Sequence, residues 1–165
     1  MGLRSTKGMS GDGDGNGSSG SSTWRELGKV PWLRDYAAGL KKAHEENKPV
    51  LLLFQEVPGC STCVGYGQMV LSNHAIVDAA STLFVPVAIF NNKGGADAEV
   101  LRKYREPSWN NPVVRFIDAD EQQLAPRLNG DYSVSGLARS MCKALAAAGK
   151  TAPAALTALS NCYDR

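Results

Sequence analysis

The sequence is poor in cysteine and has neither a long apolar run nor a long run of charges of one sign. Four cysteines in 165 residues are too few for a disulfide-stapled scaffold, and an apolar content of 43% supplies a core without one. No stretch approaches the roughly 20 apolar residues needed to span a bilayer. With a net charge of +2 and charges of mixed sign, neither a nucleic acid nor an anionic membrane is the expected partner.

Residues 1–23 are rich in glycine and serine and almost free of apolar side chains. Such a segment cannot bury enough surface to offset its ordering entropy, so we expect a disordered tail. It has no apolar segment typical of a secretory signal and too few arginines for a transit peptide, which makes the cytoplasm the expected location. Gly2 and Thr6 fit the N-myristoylation pattern, and only acylation of Gly2 would bring the protein to a membrane.

The apolar run Val50 to Phe54 is followed closely by Cys60 and Cys63, and this is the stretch richest in chemical information. The order predicts a buried strand, a tight loop and a helix, with Cys60 at the junction of loop and helix. A thiol at a helix N-terminus faces free backbone N–H groups, which favour the reactive thiolate. A second cysteine three residues later could then attack a mixed disulfide formed by the first.

Two other interpretations of the cysteine pair stay open at this stage. The pair could be half of a zinc site, although Cys142 and Cys162 are not spaced as the second ligand pair that structural zinc normally requires. It could also be an inert structural disulfide, since exposure and thiolate character decide whether a cysteine reacts. A redox pair is the preferred hypothesis, because a C-x-x-C beside a βαβ pattern is typical of redox proteins.

Hydrophobic periodicity and turn residues predict the elements around this pair. A strand with Pro86 inside it should lie at a sheet edge or a bulge, because proline cannot donate to a ladder. Gly65 and Gly67 follow the cysteines and indicate either an irregular first turn or a backbone that a neighbour approaches closely. The other predicted elements are a helix over 31–47, a strand over 83–90, a short helix capped by Asp97, a strand over 113–117, a short hairpin partner over 122–124 and a helix over 134–148.

The order of these elements resembles that of the thioredoxin-like family over residues 31–149. The resemblance rests on four stretches: Lys48-Pro49-Val50, Cys60-Ser61-Thr62-Cys63, Leu71-Ser72-Asn73-His74 and Phe84-Val85-Pro86-Val87. It implies an α/β thioredoxin-like fold, a central four-stranded mixed sheet flanked by helices, with the second strand at the edge, followed by the first, third and fourth. The domain would cover residues 24–150 and leave 151–165 as a C-terminal extension.

The resemblance also implies a site and an activity. Cys60 would be the nucleophile and Cys63 the resolving thiol, with Asn111 and a cis-Pro112 forming the platform that binds the substrate. The expected activity is that of a thiol–disulfide oxidoreductase in cell redox homeostasis, with no metal and no cofactor beyond its redox-active disulfide. Substrates would be protein or low-molecular-weight disulfides, with glutathione or a thioredoxin system as the thiol reductant. The alternative is a non-catalytic module that binds a partner in the Pro112 groove.

Several positions depart from the family pattern. Ser61-Thr62 replaces the Gly-Pro of thioredoxin between the cysteines, and Gly59 replaces its preceding tryptophan. Leu53 or Phe54 stands where thioredoxin buries a proton-shuttling aspartate in its central strand. Glu56 is the nearest acid, and it is either a proton relay or a solvated loop residue.

Overall fold

The computed structural model describes residues 24–109 and 112–161, so the predicted tail, Gly2 and Cys162 lie outside the described residues. The strands are β1 Val50–Gln55, β2 Val85–Phe90, β3 Val113–Ile117 and β4 Gln123–Asn129. The helices are α1 Tyr36–Glu46, α2 Ser61–Gly65, α3 His74–Leu83, α4 Ala96–Tyr104, α5 Val134–Ala147 and α6 Ala154–Asn161. A 3₁₀ turn, Arg25–Leu27, precedes α1, and a π-helical segment, Tyr66–Val70, continues α2. No helix within these residues has the length and apolarity needed to cross a membrane.

The four strands form one mixed sheet in the order β2-β1-β3-β4, as the resemblance predicted. β1 pairs parallel with β2, placing Val50 opposite Val85, and antiparallel with β3, placing Phe54 opposite Val113. β4 closes the other side by pairing antiparallel with β3. The placement of the proline-containing strand β2 at an edge is confirmed.

The core consists of two apolar layers, one on each face of the sheet. Leu51 and Leu53 face one layer, which α3, α5 and α6 cover. Val50, Leu52 and Phe54 face the other layer, which α1 and α4 cover. All six residues of β1 are buried, because a central strand covered by helices on both faces has no solvated side. The uninterrupted apolar run in the sequence is explained by this position.

The first helix begins later than Pro31, where the sequence analysis placed its start. Asp35 caps it by accepting a hydrogen bond from Ala38 N at 3.0 Å, so α1 starts at Tyr36. The preceding residues are extended instead, and Leu33 forms a β-bridge with Val87. The N–H of Leu33 donates to the carbonyl oxygen of Pro86 at 2.8 Å. Pairing with the sheet edge has overridden the helical periodicity of this stretch.

The predicted helix caps have mixed outcomes. Asn73 caps α3 as predicted, because its side chain accepts hydrogen bonds from Ala75 N and Ile76 N. Asp97 does not cap α4; the N-cap residue is Gly95. The carboxylate of Asp97 instead forms an ion pair with Arg34 at 2.8 Å. Asp97 therefore pairs with Arg34, a residue distant in sequence, and does not cap α4.

The C-terminal part of the domain contains more structure than the sequence predicted. The short hairpin partner is a full strand, β4, that continues through Pro126 to Asn129. Residues 151–161 include α6, to which the sequence analysis assigned no element. Leu156 of α6 is fully buried in the layer formed with α5, and Arg139 of α5 donates to the carbonyl of Ser160 at 2.9 Å. This helix is therefore part of the core.

Gly65 and Gly67, the two glycines after the cysteine pair, differ in how much space surrounds them. A Cβ atom at Gly67 would lie 1.9 Å from the carbonyl oxygen of Arg25, whereas one at Gly65 would meet nothing within 4 Å. Gly28, with φ at +61°, is pressed in the same way against the carbonyl oxygen of Leu71. The close-approach interpretation holds for Gly67, since the 3₁₀ turn lies directly against the π-helical segment.

We expect Gly67→Ala to lower the free energy of unfolding by about 1–3 kcal/mol, the cost typical of an overpacked interior. The matched control is Gly65→Ala, which adds the same methyl group to a helical position with free space. This control should be neutral or stabilising by up to about 1 kcal/mol. Urea unfolding of both variants measures the difference, and equal stabilities would contradict the close contact at Gly67.

Candidate active site

The cysteine pair lies directly beyond the C-terminal end of the central strand β1. The loop after Gln55 is held by a hydrogen bond from Val57 N to the side-chain oxygen of Asn92, at 3.1 Å. The Val57–Pro58 peptide bond in this loop is cis. Cys60 is then the N-cap residue of α2, with an extended backbone, which confirms its predicted position at the junction of loop and helix.

The two thiols of the pair have opposite environments. Cys60 is exposed, and backbone N–H groups of Cys63 and Thr62 lower the pKa of its thiol below the ordinary value. Cys63 has no exposed surface, and burial raises the pKa of its thiol to about 11. The two Sγ atoms are 3.9 Å apart, and neither cysteine is in a disulfide. One accessible, acidic thiol thus stands beside one buried thiol that ionises with difficulty.

Gly59 is a steric requirement of this geometry. A Cβ atom there would lie 2.4 Å from the carbonyl oxygen of Glu56 and 2.6 Å from Cβ of Cys63. Both distances are shorter than non-bonded carbon contacts in proteins permit, so a side chain would force the two cysteines apart. The tryptophan that thioredoxin has at this position would not fit in the loop of this protein without a shift of the backbone.

Two polar residues behind the cysteines were not identified from the sequence. The side-chain amide of Gln55 donates to the carbonyl oxygen of Glu26 at 3.0 Å and to that of Cys63 at 3.4 Å. The carboxylate of Glu26 accepts a hydrogen bond from Gly59 N at 2.6 Å. Both side chains are buried. A polar residue ending an apolar strand was a usable signal for Gln55, whereas nothing in the sequence singles out Glu26.

Glu56 is close to both sulfur atoms. One carboxylate oxygen of Glu56 and the Sγ atoms of Cys60 and Cys63 all lie within 4.8 Å of one another. Among the described residues these three could hold a metal ion, and two thiolates with one carboxylate would leave a fourth position open. The zinc alternative therefore stays open with a different third ligand, and the role of Glu56 as a proton relay stays a prediction.

The substrate platform implied by the resemblance is described only in part. Asn111 and its peptide bond with Pro112 lie outside the described residues, so the cis bond and the binding role stay predictions. Pro112 itself is buried directly before β3, whose first residue, Val113, pairs with Phe54 near the end of β1. Pro112 therefore lies at the same end of the sheet as the cysteine pair. Trp109, just before the undescribed residues, is 78% exposed.

A buried ion cluster holds the segment that leads to Pro112. Glu106, 2% exposed in its side chain, accepts hydrogen bonds from Arg115 of β3 at 2.6 Å and from Arg127 of β4 at 2.7 Å. Burial alone would raise the pKa of this carboxyl, but the hydrogen bonds and charges of both guanidinium groups outweigh burial and hold it below the usual value. The start of the loop is thereby fixed to two adjacent strands.

A mixed sheet in the order β2-β1-β3-β4, with a C-x-x-C at the start of the helix that follows the central strand, defines a thioredoxin fold. A sequence profile described as thioredoxin-like matches residues 31–119, more than half of the chain. The chain therefore belongs to the thioredoxin-like family.

Solved structures support the same fold. A DsbH oxidoreductase superposes with a TM-score of 0.60 at 20% identity, covering 79% of this chain and 95% of the other. A thioredoxin from Thermus thermophilus superposes with a TM-score of 0.57 at 20% identity, covering 68% of this chain and 84% of the other. At these identities the likeness concerns the fold alone. Comparison with curated proteins gave no match.

We expect alkylation to distinguish the two thiols by pH. In the reduced protein at pH 7, iodoacetamide should modify Cys60 first, because its thiol has the lowered pKa, and Cys63 should react only when the pH approaches about 11. Mass spectrometry of quenched samples at several pH values measures both rates. In urea the two cysteines should react alike, and an equal reactivity in the folded protein would contradict the assigned environments.

We expect Glu106→Gln to lower the free energy of unfolding at pH 7 by about 2 kcal/mol, because it replaces the charge-assisted hydrogen bonds with two arginines by weaker neutral ones. Since folding lowers the pKa of Glu106, its stabilisation is present above the ordinary carboxyl pKa and is lost as the pH falls through the lower, folded value. The difference from the wild type should therefore shrink below about pH 4. Exposed Glu99→Gln is the control, and a difference that stays constant down to pH 2 would argue against the ion cluster.

Proposed function

We propose that this protein is a thiol–disulfide oxidoreductase that uses Cys60 and Cys63 as its redox pair. The observation that carries the proposal is the asymmetry of the two thiols at a sulfur separation of 3.9 Å. An exposed thiol with a lowered pKa is suited to attack a substrate, and a buried thiol with a raised pKa is protected until it is needed.

The reaction would proceed in two exchange steps. The Cys60 thiolate attacks one sulfur of a substrate disulfide, the substrate S–S bond breaks, and one substrate sulfur leaves as a thiolate. Cys63 then loses its proton and attacks the sulfur of Cys60 in the mixed disulfide, which releases the second substrate thiolate. The substrate gains two electrons and the pair becomes a disulfide. A thiol reductant, glutathione or a thioredoxin system, returns the pair to its dithiol form.

Cys63 needs a proton acceptor in the second step, because its thiol has a raised pKa. Glu56 is the proposed relay. Its carboxylate lies within 4.8 Å of both sulfur atoms, a distance that one bridging water molecule spans. A carboxylate on the loop beside the pair would replace the strand aspartate that thioredoxin uses and this chain lacks.

The proposed substrates are protein or low-molecular-weight disulfides that lie against the surface next to Pro112. The position of Pro112 at the end of the sheet that carries Cys60 supports this assignment. Asn111 would contribute backbone groups to an extended substrate segment. A cytoplasmic location and a role in cell redox homeostasis complete the proposal.

We expect Cys63→Ser to accumulate a mixed disulfide between Cys60 and its substrate, because the resolving step is removed while the first attack is kept. Cys60→Ser should form no mixed disulfide and should lose disulfide reduction to the background rate. Cys142→Ser is the matched control, since this half-buried thiol lies on α5 and should leave turnover unchanged. Reduction of insulin with glutathione as the only added reductant measures turnover, and mass spectrometry of each variant mixed with insulin in the absence of glutathione measures the trapped mixed disulfide.

Two results would contradict the proposal that the protein is a catalyst. One is a wild-type protein that never forms a Cys60–Cys63 disulfide across the range of glutathione buffers. The other is partner binding that persists in a variant carrying both Cys60→Ser and Cys63→Ser while the wild type shows no turnover. The second result would favour the alternative, a non-catalytic binding module.

A further inference from the structure

We propose that Glu26 is a positioning residue for the cysteine pair, acting from outside the loop and helix that carry it. The inference rests on the proposed redox function, since it concerns the second exchange step of that reaction. Glu26 belongs to the 3₁₀ turn Arg25–Leu27, 34 positions before Cys60. The residue is only 5% exposed, and a carboxylate is seldom buried unless a partner compensates for its lost hydration.

Glu26 contacts the site on both sides of the pair. Its carboxylate Oε2 accepts a hydrogen bond from the N–H of Gly59, the residue before Cys60, at 2.6 Å. Its backbone carbonyl accepts a hydrogen bond from the Gln55 amide at 3.0 Å, and that amide nitrogen is also 3.4 Å from the carbonyl oxygen of Cys63. One residue of a remote segment therefore fixes the backbone before the first cysteine and, through Gln55, is connected to the second.

The 3₁₀ turn is itself held rigidly. Trp32 donates a hydrogen bond from its indole N–H to the carbonyl oxygen of Leu27 at 2.8 Å, and the N–H of Lys29 donates to the carbonyl of Leu71 at 2.9 Å. Gly67 brings the backbone of the turn against the π-helical segment that continues α2. The carboxylate of Glu26 is thus presented to Gly59 from a fixed support.

The contact with Gly59 controls the geometry of sulfur exchange. Gly59 is so close to Cys63 that a Cβ atom on it would lie 2.6 Å from the Cys63 Cβ, with no space for the loop to move inward. A loop released from Glu26 would be free to move away from Cys63 and increase the separation of the two sulfur atoms. Attack within the pair requires sulfur atoms held at short distance, whereas attack by the exposed Cys60 on a substrate does not.

The test separates the two exchange steps with oxidised glutathione as the only oxidant. Cys60 attacks glutathione disulfide, forms a mixed disulfide and releases one glutathione thiolate; Cys63 then loses a proton, displaces the second glutathione and closes the Cys60–Cys63 disulfide. Acid quenching and mass spectrometry follow both species in time. The full chain is used throughout, and no protein substrate is needed.

For Glu26→Ala we expect ring closure to slow by about tenfold or more, the factor that a hydrogen bond to a charged group is worth. The first step should stay within about threefold of the wild type, since Cys60 remains exposed at the start of α2. Glu26→Gln keeps an acceptor oxygen at the same length but loses the charge, so its ring closure should be slower than in the wild type and faster than in Glu26→Ala. Glu26→Asp keeps the charge but is one methylene shorter, so it should be slow like the alanine variant.

Asp97→Ala is the matched control, because it removes another largely buried carboxylate, one whose partner is Arg34 and not the loop of the cysteine pair. Thermal unfolding of each variant shows how much stability is lost. If Glu26→Ala does not fold, Glu26→Asp provides the decisive rate. Ring closure at the wild-type rate in Glu26→Asp, or slowing by the same factor in Asp97→Ala, would overturn the positioning role. A wild-type protein that forms no Cys60–Cys63 disulfide would instead contradict the proposed function itself.

Discussion

The structure depends on the central strand β1 being paired on both sides and covered on both faces. Val50 to Gln55 have no exposed surface, and each large apolar side chain in such a position contributes about 1.5–3 kcal/mol. The strand cannot shift along its neighbours, because a shift of one residue would exchange the side chains facing the two layers. The loop that starts after Gln55 therefore leaves the sheet from a fixed point, and the cysteines take their position from that point.

The two cysteines differ in reactivity because Cys60 is exposed and Cys63, one helical turn later, is buried. Cys60, at the start of α2, has solvent on one side and backbone N–H groups on the other. Three residues later the helix has already entered the core, and Cys63 is enclosed. Backbone N–H groups at Cys60 and burial at Cys63 are the largest causes of the opposite pKa shifts, and the nearby Glu56 carboxylate raises both pKa values. Ser61 and Thr62, which occupy the intervening positions, carry no charge.

The sequence was informative where the signal is local. The apolar run of β1, the cysteine pair at a helix start and the Asn73 cap each depend on neighbouring residues, and each prediction was confirmed. Predictions failed where a group distant in sequence decides the conformation. Asp97 was predicted to cap α4, but it forms an ion pair with Arg34 instead. Glu26 was missed for the same reason, since its meaning depends on Gly59, 33 residues further along the chain. The platform at Asn111 stays a prediction that rests on family resemblance.

Part of the outer edge of β2 is already paired within the chain. On the outer side of β2, Leu33 donates a hydrogen bond to the carbonyl of Pro86 and accepts one from the N–H of Ala88. The Arg34 guanidinium donates to the carbonyl of Ala88 at 2.7 Å. β4, the strand at the other edge, contains Pro126, which has no N–H to donate to a ladder. At Pro86 and Ala88 of β2, the backbone groups that could pair with another chain are already in use within the protein. A strand that added itself to this part of the sheet would first have to displace both Leu33 and the Arg34 guanidinium.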